Sequence, residues 1–178
     1  MDEPHGTTLA TTEAFKGRIF TITVDRVALP NGRTVTLDMV RHRGSVVLIP
    51  MQDDRRVVLI RQYRYALDRW IWELPAGSLD SGEDPVSAAA RECEEEIGLV
   101  PAYVAFAGAW YPTPGFCTEV MNYYRLTGLR PPDPNGPRAH MDPDEDIRVH
   151  VFSLDDAREM VRRGDIIDLK TAWGLTLV

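Results

Sequence analysis

Cysteine, basic residues and long apolar runs are all scarce in this chain. Its 178 residues include only two cysteines, Cys93 and Cys117. They are too few and too far apart in sequence to suggest a disulfide framework or a zinc site, and they fit a reducing cytosol. Lys and Arg total 20 against 27 Asp and Glu, for a formal charge of −7. With no basic face in evidence to neutralise a run of phosphates, a nucleic-acid polymer is not the expected partner. No apolar run approaches the ~18 residues of a spanning helix, so no membrane is expected. The opening residues, MDEPHGTTLATTEAF, are polar and lack the basic-then-apolar order of a signal peptide. No repeat is present, and the length fits one domain with a sizeable core.

The informative stretch runs from Gly77 to Leu99, GSLDSGEDPVSAAARECEEEIGL. Asp84 followed by Pro85 reads as an N-cap and first helical residue, since proline's missing N–H costs nothing there. Gly98 suits a left-handed C-cap. Between them Val86, Ala89, Ala90, Cys93 and Ile97 fall on one apolar stripe expected to be buried, and Glu92, Glu95 and Glu96 gather on a different face. Like charges at i, i+3 and i+4 weaken a helix, whereas a divalent cation reverses the penalty. Hard oxygen ligands with open positions for water and phosphate oxygens are what Mg²⁺ chemistry on a diphosphate needs.

Gly77, Glu83, Arg91, Glu92, Glu95, Glu96, Gly98 and Leu99 meet the pattern G-x5-E-x7-R-E-U-x-E-E-x-G-U, where U is a bulky aliphatic. Cys93 is the one departure, and it leaves the carboxylates untouched. The chain thus resembles the Nudix hydrolases. That resemblance implies an α/β/α sandwich with a mixed sheet. It also implies a metal held by the Ala76 carbonyl, Glu92 and Glu96, with Glu95 close by. The cofactor would be Mg²⁺, or Mn²⁺ in its place. Glu83 and Arg91 are expected to pair structurally and hold the loop.

Before this core, Phe15 to His42 is rich in β-branched residues around Asn31-Gly32, a hairpin signal, so two antiparallel strands are expected. Nudix proteins that hydrolyse ADP-ribose and related nucleotide sugars often carry such a sheet across a dimer. The expected organisation is therefore a dimerising β extension over residues 1–43 and a Nudix domain over 44–178, in a homodimer. Ser45–Pro50 and Arg56–Tyr63 read as short apolar strands about the turn at Asp53-Asp54. Arg61 and Arg64, in RQYRYAL, suit diphosphate oxygens by bidentate geometry. Glu73 is either a substrate-side acceptor or a salt-bridged strand-end carboxylate.

Downstream, Tyr103–Tyr111 and Val120–Leu126 read as strands, with PTPGFCTE between them. The Pro112 and Pro114 turn is similar to the element that shapes the nucleotide pocket of ADP-ribose pyrophosphatases. Tyr111 and Phe116 offer faces for a purine, and Glu119 an acceptor for ribose hydroxyls. A proline-rich loop leads into His140–Asp146, and in related ADP-ribose hydrolases a glutamate on this loop deprotonates the attacking water. Glu145 is the first candidate base, Asp142 and Asp144 follow, and Glu95 is the alternative inside the helix. Ile147–Phe152 is the final strand. Ser153 then caps a helix to about Gly164, and Ile166–Val178 is expected to cover the sheet through Leu169, Trp173 and Leu177.

The expected partner is a small nucleoside diphosphate derivative, first ADP-ribose, cleaved to AMP and ribose 5-phosphate in the cytoplasm. Other nucleotide sugars such as GDP-mannose, or a sensor that binds without cleaving, are the alternatives.

Overall fold

The longest apolar runs of the chain form the two central strands of a mixed sheet. The computed structural model describes residues 3–136, 139 and 146–178, which group into two compact units. The larger unit comprises residues 45–110 and 121–178. Its sheet contains β4 (Ser45–Asp53), β5 (Arg56–Arg64), β6 (Arg69–Glu73), β7 (Ala76–Ser78), β8 (Tyr103–Trp110), β9 (Met121–Thr127) and β10 (Ile147–Ser153). The order is β10-β5-β4-β9-β8, with β6 on β5 and β7 on β4. Only β4 and β9 run parallel among these pairs, so the sheet is mixed.

Alternation along β4 and β5 divides the core into two layers. Val46, Leu48, Val58 and Ile60 point to helix α1 (Pro85–Ile97) and bury Ala88, Ala89, Cys93 and Ile97. Val47, Ile49, Val57 and Leu59 point the other way, to Ala157 and Met160 of α2 (Leu154–Arg163) and to Leu175 after α3 (Leu169–Gly174). Helices on both faces of a mixed sheet complete the expected α/β/α sandwich. The caps also form. Asp84 accepts from Ser87 N–H at 3.0 Å, and Gly98 is left-handed at φ 69°. Ser153 Oγ accepts from Asp156 N–H at 3.0 Å.

The smaller unit comprises residues 1–44 and 111–120, within the described residues. It holds a three-stranded antiparallel sheet of β1 (Thr7–Lys16), β2 (Phe20–Ala28) and β3 (Thr34–His42). The Asn31-Gly32 turn joins β2 to β3 with Gly32 at φ 80°. The sequence reading expected two strands and missed β1, because TTLATTEAFK buries no side chain and lacks a regular apolar–polar alternation. Residues 111–120 attach by main-chain bonds from Val40 N–H to the Phe116 carbonyl and from Thr118 N–H to the Val40 carbonyl.

Two further expectations are corrected. Val86 is 44% exposed at the start of α1, and Ala88 is buried in the stripe instead. The C-terminal helix stops at Gly174 and Leu169 is 69% exposed, whereas Trp173 meets Trp110 edge-on at 5.2 Å and Leu177 packs against the core as expected. The packing residue there is Gly174, where a Cβ would run into the buried Leu74 side chain.

One buried ion network ties β5, β6 and α3 together. Arg64 grips Glu73 through two N–H···O bonds of 2.7 and 2.8 Å. Lys170 also bonds Glu73, and reaches Asp168 at 2.9 Å. Burial alone would raise the Glu73 pKa, but Arg64 and Lys170 outweigh it and hold the carboxyl below its ordinary 4.5. Because the folded pKa is depressed, the stabilisation is present above the unfolded value and is lost as pH falls through the folded one. Glu73→Gln is therefore expected to cost about 2–4 kcal/mol at neutral pH, at the lower side of a broken buried pair since Arg64 is 40% exposed. Urea unfolding of wild type and variant from pH 7 to pH 3 checks this, with the difference shrinking at the acid end.

Candidate active site

The carboxylates of α1 sit where the helix meets the sheet. Glu92 and Glu96 are 8% and 2% exposed and lie within the buried side of the helix, with Glu95 at its margin. The sequence reading had put all three on a separate face. The difference arises because the buried sector is wide enough to include two acids beside Ala89 and Cys93.

Isolated carboxylates this deep would be costly, so their surroundings must compensate. Glu96 Oε2 accepts from Ala76 N–H at 3.1 Å, which joins the helix to β7. Gly77 lies against Glu92 so closely that a Cβ there would overlap the carboxylate. The glycine of the motif is thus required by close approach. Arg91 supplies the positive charge. It holds Glu83 through two bonds of 2.9 Å each, and through Nη1 bonds Glu92 at 2.8 Å and Glu95 at 2.6 Å. The expected Glu83–Arg91 pair forms, and Glu83 Oε2 also accepts from Asp80 N–H at 3.0 Å, pinning the loop before the helix. Arg91 keeps the Glu83 carboxyl below its usual range. Cys93, buried behind this face, has its thiol pushed up to about 12, first by burial and then by Glu94 and Glu96, and stays a neutral packing group.

The donors fit a divalent cation of the Mg²⁺ kind. Glu92 and Glu96 are buried beside β7, Glu96 on the Ala76 N–H and Glu92 against Gly77, and with the Ala76 carbonyl they would offer hard oxygens. No group of three or more His, Cys, Asp or Glu side chains forms a cage among the described residues.

The remaining candidates divide by position. Arg64 is in phase along β5 with Val58 and Ile60, which face α1, and its guanidinium pKa is raised first by the Glu73 hydrogen bond, with Glu96 adding a smaller part. Glu73 uses both oxygens in the ion network described above, which matches the salt-bridged of its two readings. Its grip leaves Arg64 Nη1 without a partner among the described residues. Arg61 points to the opposite face, over the Trp72 ring at 4.9 Å, so of the two arginines only Arg64 shares a face with the α1 acids. Tyr111, Pro114, Phe116 and Glu119 belong to the smaller unit. Tyr111 and Phe116 are 60% and 52% exposed, and Glu119 is half-buried. Asp142, Asp144 and Glu145 lie outside the described residues. Just before them, Ala139 N–H donates to Glu94 of α1 at 3.4 Å. Sequence reasoning missed the reach of Arg91 to three acids, and missed Lys170, which lies 97 positions from Glu73 and carries no local signal.

The NUDIX domain description matches residues 41–170. An ADP-ribose pyrophosphatase of Bacillus subtilis is 32% identical over 168 residues, covering 94% of this chain and 89% of that protein. A methanol dehydrogenase activator of Bacillus methanolicus is 36% identical over 164 residues, covering 92% and 87%. The crystal structure of an ADP compounds hydrolase superposes with a TM-score of 0.82 at 21% identity, covering 99% of this chain and 94% of that one, and shares its fold. With the motif, the sandwich and these relatives in agreement, the chain belongs to the Nudix hydrolase family.

Proposed function

We propose that this hydrolase cleaves ADP-ribose to AMP and ribose 5-phosphate in a Mg²⁺-dependent reaction. The observation that carries the reading is the pair of buried carboxylates, Glu92 and Glu96, gathered against Ala76 and Gly77 in a chain similar to an ADP-ribose pyrophosphatase over most of its length. Mg²⁺ supplies charge neutralisation and polarisation of a phosphoryl oxygen when bound. Glu92, Glu96 and the Ala76 carbonyl hold it, with Glu95 beside them. Arg64, oriented by Glu73, turns its remaining N–H edge to the other phosphate. Glu145 takes the proton of the attacking water, and Glu95 is the second candidate.

Tyr111 and Phe116 stack the adenine, Pro114 shapes that pocket, and Glu119 accepts from ribose. Their exposure leaves aromatic faces available for a base. The smaller unit is assigned to dimer formation. Leu9, Phe15, Ile19 and Phe20 are between 39% and 54% exposed there, an apolar surface of the kind that a second copy covers. The compartment proposed is the cytoplasm, where the two unpaired thiols fit.

The substrate is tested by turnover on ADP-ribose, GDP-mannose, FAD, diadenosine polyphosphates and oxidised dGTP with Mg²⁺. A clear preference for ADP-ribose is expected, and preference for another member moves the substrate while keeping the chemistry. Similarity to a methanol dehydrogenase activator makes the breadth of that panel necessary. Glu96→Gln is expected to lower kcat by about 10²–10³-fold with the fold intact by circular dichroism, since it removes charge from the metal side of the transition state. Full Mg²⁺-dependent turnover in that variant would remove Glu96 from the ligand set. Gly77→Ala is expected to displace the Glu92 carboxylate, and to lower kcat by at least about tenfold while costing about 1–3 kcal/mol of stability. Steady-state kinetics together with thermal melting separates the two effects.

A further inference from the structure

On the sheet face away from α1, two arginines stand side by side on neighbouring strands. Arg148 of β10 is in register with Arg61 of β5, which sets their Cα atoms about 5 Å apart. Like charges directly opposite one another in a sheet repel. Neither guanidinium has a carboxylate partner among the described residues. Asp146 lies one step along the same face from Arg148 but makes no ion pair with it. In a chain of net charge −7, a pair of cations in register with no ion pair among the described residues stands amid an excess of acids.

The pair is also held in place. Arg61 lies over the Trp72 ring at 4.9 Å, and Arg148 over the Trp70 ring at 4.4 Å. Trp72 is fixed edge-on by His150 and Phe152, each at 5.0 Å, and Trp70 meets Tyr63 at 6.1 Å. An indole beneath a guanidinium uses its face and leaves the N–H edge to other partners. The helical cover of this face packs Val57, Leu59 and Phe152 and leaves the Arg61–Arg148 end accessible, with Arg148 exposed and Tyr63 38% exposed.

We propose that Arg61 and Arg148 form a binding site for a phosphoryl group, separate from the α1 carboxylates and on the opposite face of the sheet. Two guanidiniums carried by residues in register on adjacent strands present several N–H donors and a double positive charge. A phosphomonoester or inorganic phosphate presents three acceptor oxygens and close to two negative charges at one centre, and so relieves the repulsion that the pair otherwise carries. A carboxylate offers half that charge. The tryptophan shelf holds both side chains in place before the anion arrives, which reduces the ordering that binding requires.

Calorimetric titration with inorganic phosphate and with AMP, in EDTA and with chloride at constant ionic strength, tests the site independently of catalysis. Wild type and Glu96→Gln are expected to bind phosphate equally, with a dissociation constant below about 1 mM. Arg148→Gln and Arg61→Gln are each expected to weaken binding by about tenfold or more, and Arg148→Lys by less, because it keeps the charge and loses the fork. Arg148 is exposed, and an unchanged melting temperature confirms that its variants fold. AMP binding no tighter than phosphate means the site reads the phosphoryl group alone, and tighter Arg148-dependent binding means the nucleoside adds contacts. No saturable binding below about 10 mM, or equal affinity in Arg148→Gln, overturns the site. Failure of ADP-ribose turnover would leave this result untouched.

Discussion

Everything at the candidate active site depends on accommodating carboxylates where a helix packs against a sheet. Burying an isolated carboxylate costs several kcal/mol, and α1 buries two of them along its packed side. Arg91 meets part of that cost by joining Glu83, Glu92 and Glu95 in one cluster, and the Ala76 N–H meets more by donating to Glu96. The same arrangement explains Gly77, which must lack a Cβ for the β7 backbone to approach Glu92. The motif therefore describes a packing solution as well as a set of ligands.

A second charged cluster supports the first from the neighbouring strands. Glu73 is almost fully buried, and its two cations come from β5 and α3, elements far apart in sequence. By consuming both Glu73 oxygens the cluster orients Arg64 on the α1 side of the sheet. Arg61, three residues earlier, falls on the other face because side chains alternate along a strand. Two arginines that look equivalent in RQYR thus serve different surfaces.

Much of the fold was legible from local patterns. Helix caps, hairpin turn and apolar strands act over a few residues, so Asp84, Gly98, Asn31-Gly32 and Ser153 announce their elements directly. The failures occur where local pattern carries no information. Strand β1 is exposed along its length and lacks regular apolar alternation, and is held by main-chain pairing to β2. At the C-terminus Gly174 and Leu175 are buried in the core while Leu169, expected there, is exposed.

For the site, the sequence by itself determined the identity of the acids, their spacing along one helix and the glycines that begin and end the motif. These follow from helix periodicity and from the backbone freedom of glycine. Only the tertiary structure decided that Glu92 and Glu96 are buried, that Arg91 binds three acids at once, and that Lys170 joins Glu73. It also separated Arg61 from Arg64 and set Arg61 beside Arg148. Such relations are contacts between elements distant in the chain, and their energies depend on burial and distance, which no local spacing encodes.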